Sequence, residues 1–324
     1  MLDIITIIVY EYHSIKKIFE KYSINLIGTK RISRDLFSRS QQRGRLSDVR
    51  SPNQTVNNLT MEEKMEFEDI LYDKKDGVAK ITINRPDKGN ALRTVTLSEM
   101  VRALEDATWD HSVGVVVITG AGDRFFCTGG DAGDAREDRG GYRRGVKKIF
   151  EVERSIRMIQ KPVIAAVNGW AVGGGHVLHV ICDLTIASDK AKFTQVGPKV
   201  GSFEAGFGAA YLARVIGEKK AREMWFLCHS YTAEEALQMN LVNKVVPAER
   251  LIEEVDSWCQ EILDKSPTAL GFLKISLNSP TDWIYSMQRM AGEGLWQYYE
   301  NEEALEGRKS YLEKRKPDFR QFRK

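Results

Sequence analysis

Cysteine is scarce in this chain, and the four present, Cys127, Cys182, Cys228 and Cys259, stand far apart in apolar surroundings with no C-x-x-C pair among them. That spacing excludes a disulfide framework and the common zinc motifs, and it reads as reduced core thiols of a cytoplasmic protein. Long apolar runs are missing too. The nearest approach, residues 2–10, is too short to span a bilayer and lacks the basic residues that precede the core of a secretory signal. Net charge is slight at +3 and uneven: residues 1–60 carry ten Lys and Arg against five acids, which leaves the rest of the chain at −2. A nearly neutral globular part gives no electrostatic footprint for nucleic acid, so neither nucleic acid nor membrane is expected as a partner.

What the chain does have is apolar material, 42% of 324 residues, enough to bury the core of one large domain with an appendage. Residues 1–64 differ from the rest: an Arg/Ser/Gln/Asn-rich tract over 31–60 shows little periodicity and is expected to be disordered. An organelle-targeting segment, a tail and an upstream extension from too early a start codon remain open. Met61 and Met65, just before the first ordered-looking segment, favour the last. From residue 65 strands and helices alternate. Residues 67–72 and 78–83 read as a hairpin about Asp76-Gly77, and 113–119 as a strand covered on both faces. A polar loop is expected over 131–144 before a helix over 145–159, with strands at 184–187 and 192–195. Thr96-x-x-Glu99 and Thr232-x-x-Glu235 read as capping boxes. The segment 196–208 is too glycine-rich for regular structure and too apolar for a solvated linker, as an active-site wall would be. Helices dominate the remainder, so the expected class is α/β, with 65–265 as core and 266–324 as a helical C-terminal region.

The stretch 161–183 carries the chemistry. A β-branched segment, 163–167, runs into Gly173-Gly174-Gly175, and a helical pattern begins at once, so backbone N–H groups at the turn are left without intrahelical partners. A second turn of the same kind, Phe126-Cys127-Thr128-Gly129-Gly130-Asp131, follows the strand at 113–119. Two such N–H groups brought together would hold a negatively charged oxygen. A dinucleotide loop is excluded, because its third glycine would fall at Leu178.

Three motifs in this order and spacing, Asn84-Arg85-Pro86 with Asn90-Ala91-Leu92, Phe126-x-x-Gly129-Gly130-Asp131, and Lys161-Pro162-Val163-Ile164-Ala165 with Gly173-Gly174-Gly175, resemble the crotonase (enoyl-CoA hydratase/isomerase) superfamily over residues 66–324. The resemblance implies a crotonase-like spiral of ββα turns with a helical C-terminal trimerisation region, a homo-oligomer (trimer or hexamer) and acyl-CoA thioester substrates. It makes Gly130 and Gly174 the two oxyanion donors. The glutamates of simple hydratases would fall at Val177 and Gly197, so hydration is not expected.

Gly173 to His179, Gln195 to Phe203, Ala221-Arg222-Glu223-x-Trp225 and Lys314 to Phe319 are similar to a narrower branch. That branch holds the 1,4-dihydroxy-2-naphthoyl-CoA synthases of menaquinone biosynthesis, which close the ring of o-succinylbenzoyl-CoA, and the 2-ketocyclohexanecarboxyl-CoA hydrolases, which open a ring by C–C cleavage. The synthase resemblance implies bicarbonate as base, held by Gln195, Gly197 and Trp225, with Ser202, Glu204 and Tyr299 handling protons and Tyr142 closing over the substrate. Lys88, Arg308 and Lys314 are the implied contacts to coenzyme A. Glu204 stands where the family has aspartate. Flanked by Phe203 and Phe207, its carboxyl is expected to be partly desolvated and raised in pKa. Thr128 and Val196 lean toward the hydrolases, whereas His176 to His179 and Phe203 lean toward the synthases. No metal is implied: His176 and His179 lack a third ligand and read as packed side chains, and Cys127 reads as a small core residue.

Overall fold

The structure, a computed structural model, describes residues 65–131, 133, 139–204 and 206–323, with backbone alone for 139–146. The expectations for 1–64 lie outside the described residues. In chain order the elements are β1 (Ile70–Lys75), β2 (Val78–Ile83), α1 (Thr94–Trp109), β3 (Val115–Gly120), β4 (Phe125–Cys127), α2 (Arg139–Met158), β5 (Val163–Val167), β6 (Trp170–Val172) and α3 (Gly174–Val180). They continue with β7 (Leu184–Ser188), β8 (Lys192–Thr194), a π-helical turn (Phe207–Tyr211), α4 (Leu212–Ile216), α5 (Glu218–Leu227), β9 (Ser230–Thr232), α6 (Ala233–Gln238) and β10 (Lys244–Val246). The chain closes with α7 (Leu251–Leu263), α8 (Pro267–Asn278), α9 (Ile284–Tyr298) and α10 (Glu302–Leu312).

Two sheets share the strands. One has the order β1-β2-β3-β5-β7-β10 and is parallel from β2 onward, and the other runs β4-β6-β8-β9. The successive pairs β3 and β4, β5 and β6, and β7 and β8 each give one strand to either sheet, which makes a spiral of strand-strand-helix turns. The all-buried sequences of β3 (VVVITG) and β5 (VIAAV) follow from that placement, since both faces of the larger sheet are covered. Because side chains alternate across a strand, Val116, Ile118, Val163 and Ala165 join the main core with Met100 and Leu104 of α1. Val115, Val117, Ile164 and Ala166 meet Leu251, Val255 and Cys259 of α7 on the opposite face. Each such Val or Ile removed from water contributes roughly 1.5–3 kcal/mol.

The expected hairpin forms about Asp76 and Gly77, both in left-handed backbone, but its first strand lies three residues later than the apolar pattern suggested. Thr232 and Glu235 make a reciprocal capping box on α6. The other expected box is not one. The helix starts at Thr94, and Glu99 reaches out of it to accept from the amides of Glu68 and Asp69 at 2.7 and 2.8 Å. The helix expected over 145–159 begins earlier, at Arg139, within what read as a polar loop. Residues 267–323 are almost wholly helical, and α8 exposes Phe272, Leu273 and Leu277 at 69, 57 and 77%. Among the described residues no helix is long and apolar enough to cross a membrane.

Candidate active site

The two glycine turns lie against each other, braced by the motif residues 84–92. Asn90 is fully buried, and its Nδ2 donates to the carbonyls of Ala121 (2.9 Å) and Phe125 (2.7 Å) while its Oδ1 accepts from Arg85 N at 3.0 Å. Arg85 in turn ties Ala91 O at 2.5 Å to the Asp131 carboxylate at 2.9 Å, which holds the 126–131 turn at both ends. Leu92 pairs with this turn as in a parallel ladder, its N–H donating to Gly129 O and its carbonyl accepting from Asp131 N. That pairing leaves the N–H of Gly130 facing away from Leu92. Gly174 opens α3, where a first-turn N–H has no intrahelical acceptor.

Neither N–H has an acceptor among the described residues, and a methyl on Gly174 would lie 3.8 Å from Gly130 N and 3.4 Å from Gly129 Cα. That is ordinary van der Waals contact, and it puts the two turns side by side; the positions that require glycine are its neighbours. Gly129 has φ 84, and a methyl there would sit 2.8 Å from Gly174 N; a methyl on Gly175 would run into the Cys127 carbonyl. Cys127 itself is a buried thiol, pushed up to about 12 by burial, with its sulfur accepting from Gly129 N at 3.4 Å. It packs the turn and is not poised as a nucleophile.

The loop after β8 wraps α3 from one turn to the other side. Val196 lies on Gly173, whose added methyl would meet its Cγ2 at 3.7 Å, and Ser202 N donates to Gly197 O at 2.8 Å. Ser202 Oγ and Tyr299 Oη are 2.5 Å apart, so the C-terminal helices of this same chain reach the loop. They are seated there by glycines: Gly201 faces Ala304 and Gly307 of α10, with room for no side chain on either glycine. The Arg308 guanidinium lies 6.0 Å from the Tyr299 ring.

The two donors expected for bicarbonate have protein partners in this arrangement. Trp225 Nε1 donates to Gly208 O at 2.7 Å, and Gln195 Nε2 donates to His176 Nδ1 at 3.0 Å, so both expected donors already serve protein acceptors. Gly197 is hemmed in, since a methyl there would meet Ser202 O at 2.9 Å and Trp225 Cζ3 at 3.1 Å. Gln195 Oε1 and His176 Nε2 are buried without partners. Turning the Gln195 amide over, with the proton on His176 Nδ1, would free its N–H groups; the Trp225 indole has no such alternative. His176 and His179 are fully buried, stack edge-to-face with centroids 4.8 Å apart, and pack on Phe193. Burial holds the His176 imidazole down at about 3 and His179 well below its usual range.

On the far side of α3 is an acid pocket. Glu204 Oε1 accepts from Gly206 N at 2.6 Å, and Oε2 is buried without a donor. Burial pushes the carboxyl up to about 7, against the opposing pull of the amides of Gly206, Ala209 and Gly208. A methyl on Gly208 would touch both Glu204 Oε2 and Val177 Cγ2, each at 2.5 Å. A carboxyl therefore lies beside position 177 although the chain carries valine there. Its neighbour is Glu153 of α2, buried at 3% exposure and accepting from Gln288 Nε2 of α9. Sequence reasoning missed both Glu153 and Gln288. The signal for the first was a carboxylate within the apolar stripe Ile149, Val152, Ile156 of an amphipathic helix. Nothing local marked the second.

The remaining expected contacts are more scattered. Lys88 is exposed beside Asp131, whose carboxyl feels its charge. Lys314 is exposed just past α10, in left-handed backbone at φ 54. Tyr142 falls in the first turns of α2, and its side chain lies outside the described residues.

The enoyl-CoA hydratase/isomerase family model matches residues 73–323. Among solved structures, an enoyl-CoA hydratase from Mycobacterium avium subsp. paratuberculosis K-10 is 29% identical and superposes with a TM-score of 0.71, over 78% of this chain and 99% of that one. An enoyl-CoA hydratase from Bacillus anthracis is 30% identical, with a TM-score of 0.63 over the same shares. A further one from Geobacillus kaustophilus HTA426 is 31% identical, with a TM-score of 0.63 over 79% and 99%. With the fold, the paired glycine turns and a family match across three quarters of its length, the chain belongs to the enoyl-CoA hydratase/isomerase family, the crotonase superfamily of acyl-CoA enzymes.

Proposed function

We propose that this enzyme forms or breaks a carbon–carbon bond of an acyl-CoA through a thioester enolate, and that the member of the class it serves is ring closure to a 1,4-dihydroxy-2-naphthoyl-CoA. The observation that carries the reading is the pair of unpartnered N–H groups at Gly130 and Gly174 on abutting turns. A thioester oxygen between them gains charge as the α-carbon loses its proton, and each preorganised donor is worth about 10²–10³ in rate. Val177 and Gly197 leave the hydratase carboxylates absent from their usual positions. In their place stands Glu204, raised to about 7, at the pKa where a carboxyl both accepts and returns protons near neutrality. Ser202 and Tyr299, bonded to each other, orient the carbonyl under attack and carry protons to it. Lys88 and Arg308 are proposed for the phosphates of coenzyme A, and the apolar face of α8 for contact with further copies of the chain.

Bicarbonate held by Gln195, Gly197 and Trp225 would supply the base in this reading, which requires the Gln195 amide to turn over and the Trp225 indole to leave Gly208 O. A second reading, ring opening of a 2-ketocyclohexanecarboxyl-CoA by the reverse chemistry, is supported by Thr128 and Val196, which sit on the glycine turns at Gly89 and Gly173. The purified protein offered o-succinylbenzoyl-CoA, with and without bicarbonate, decides the first. Release of pimeloyl-CoA from the cyclic keto thioester supports the second. Turnover of crotonyl-CoA alone, with neither of the others, overturns both.

A further inference from the structure

The acid pocket holds two carboxyls and no cation paired to either among its described neighbours. Glu153 Oε2 accepts from Gln288 Nε2, and Glu204 Oε2 is buried with no donor. Gln288 borders both acids, since a methyl on Gly206 would lie 2.8 Å from Glu204 Oε1 and 3.0 Å from Gln288 Cβ. Arg157, one turn beyond Glu153 on α2, is turned elsewhere. It donates to Thr281 Oγ1 at 2.8 Å and Asn278 O at 3.2 Å, lies over the rings of Phe207 and Tyr211, and is 3.8 Å from Asp282. Tyr285 of α9 meets Phe207 edge to face, its hydroxyl raised by burial and Asp282 and drawn down by Arg157 and Arg154, and Val177 of α3 borders Glu204 at Gly208. Two ionised carboxylates in so dry a place would repel each other with only neutral donors, the amides about Glu204 and Gln288 Nε2, to offset the cost.

We propose that Glu153 remains the neutral acid of the pair through the neutral range, so that Glu204 alone ionises there and is kept as the site's proton carrier. Burial and then the Glu204 charge hold the Glu153 carboxyl well above its usual range, in keeping with this division. Glu153 thus acts through Glu204 and is a positioning residue. The inference rests on the proton-carrying role of Glu204 given above, but the state of the pair can be read without any acyl-CoA.

Infrared spectra of the full chain at pH 9, wild type minus Glu153→Gln, are expected to show one buried carboxylic-acid carbonyl band contributed by the wild type. A wild-type spectrum without that band, or one in which the band survives in Glu153→Gln, overturns the proposal whatever the substrate proves to be. On the identified acyl-CoA, Glu153→Leu is expected to move the acid limb of the rate profile up by about one pH unit, so that activity at pH 7 falls roughly fivefold and recovers toward pH 9. Glu153→Gln, which keeps a neutral polar group, should leave the limb within about half a unit. A limb lowered by Glu153→Gln would mean a charged Glu153, and a limb unmoved by Glu153→Leu would mean mere space-filling; either overturns it. Should Glu153→Leu not fold, the infrared difference and the Glu153→Gln profile decide the matter.

Discussion

The glycine half of the site is backbone, braced by residues close by in sequence, with Asn90 and Arg85 clamping a turn some thirty-five to forty-six positions on. The acid half is side chains delivered by α2, the loop after β8 and α9, whose members Glu153 and Gln288 are 135 positions apart. Backbone donors do not titrate, and Gly129 and Gly175 beside them admit no added atom. Buried carboxyls titrate, shift with their neighbours and tolerate isosteric exchange. Changes to the first half should therefore be felt as stability and shape, and changes to the second as proton transfer and pH dependence.

The largest departure is expected from Glu204→Gln, which removes the proton carrier while keeping its volume. Its kcat/KM should fall about 10²–10⁴-fold, carried by kcat. A loss under tenfold would erase the contrast between the halves. Asn90→Ala should instead act on stability. It leaves Arg85 N, Ala121 O and Phe125 O without their partner, which costs about 2–4 kcal/mol as read from the urea midpoint.

Stability against pH sharpens the comparison further. Glu204 is raised in the folded state from 4.5 to about 7, so its contribution is full below pH 4.5 and lost as pH rises to about 7. Measured against Glu204→Gln, wild-type stability should fall by about 3 kcal/mol across that window. His176 runs the other way: its depressed value gives stability that is present above pH 6.5 and lost as pH falls toward 3. The smallest effect is expected from the Ser202→Ala and Tyr299→Phe double-mutant cycle. Their shared hydrogen bond should appear as a coupling of about 0.5–1.5 kcal/mol in the activation free energy, and none at all would detach Tyr299 from the site.

Much of the glycine half could be read before the structure. The glycines at 129–130 and 173–175 announce turns, of which Gly129, Gly173 and Gly175 disfavour any side chain, and the strands leading into them are uniformly apolar because both faces are buried. Ser202 and Tyr299 were paired only through resemblance, since nothing local joins residues 97 positions apart. Residue identity does not show which partner a donor has taken, so the bonds of Gln195 and Trp225 could not be read in advance. Trp225 spends its N–H on Gly208 O, a bond made by the π-helical turn that no periodicity foretold. Glu99 misled, since a capping pattern is a local rule and the amides of Glu68 and Asp69 offered a better use of the carboxylate. Glu153 was visible as a charge inside an apolar stripe, but its meaning depends on Glu204, which only tertiary packing brings near.

The most direct test is a crystal structure with an unreactive acyl-CoA thioester bound. The thioester oxygen is expected within about 3 Å of both Gly130 N and Gly174 N, with the Glu204 carboxyl on the side of the α-carbon. An oxygen held by only one of the two amides, or a thioester lodged away from the glycine turns, would contradict the account.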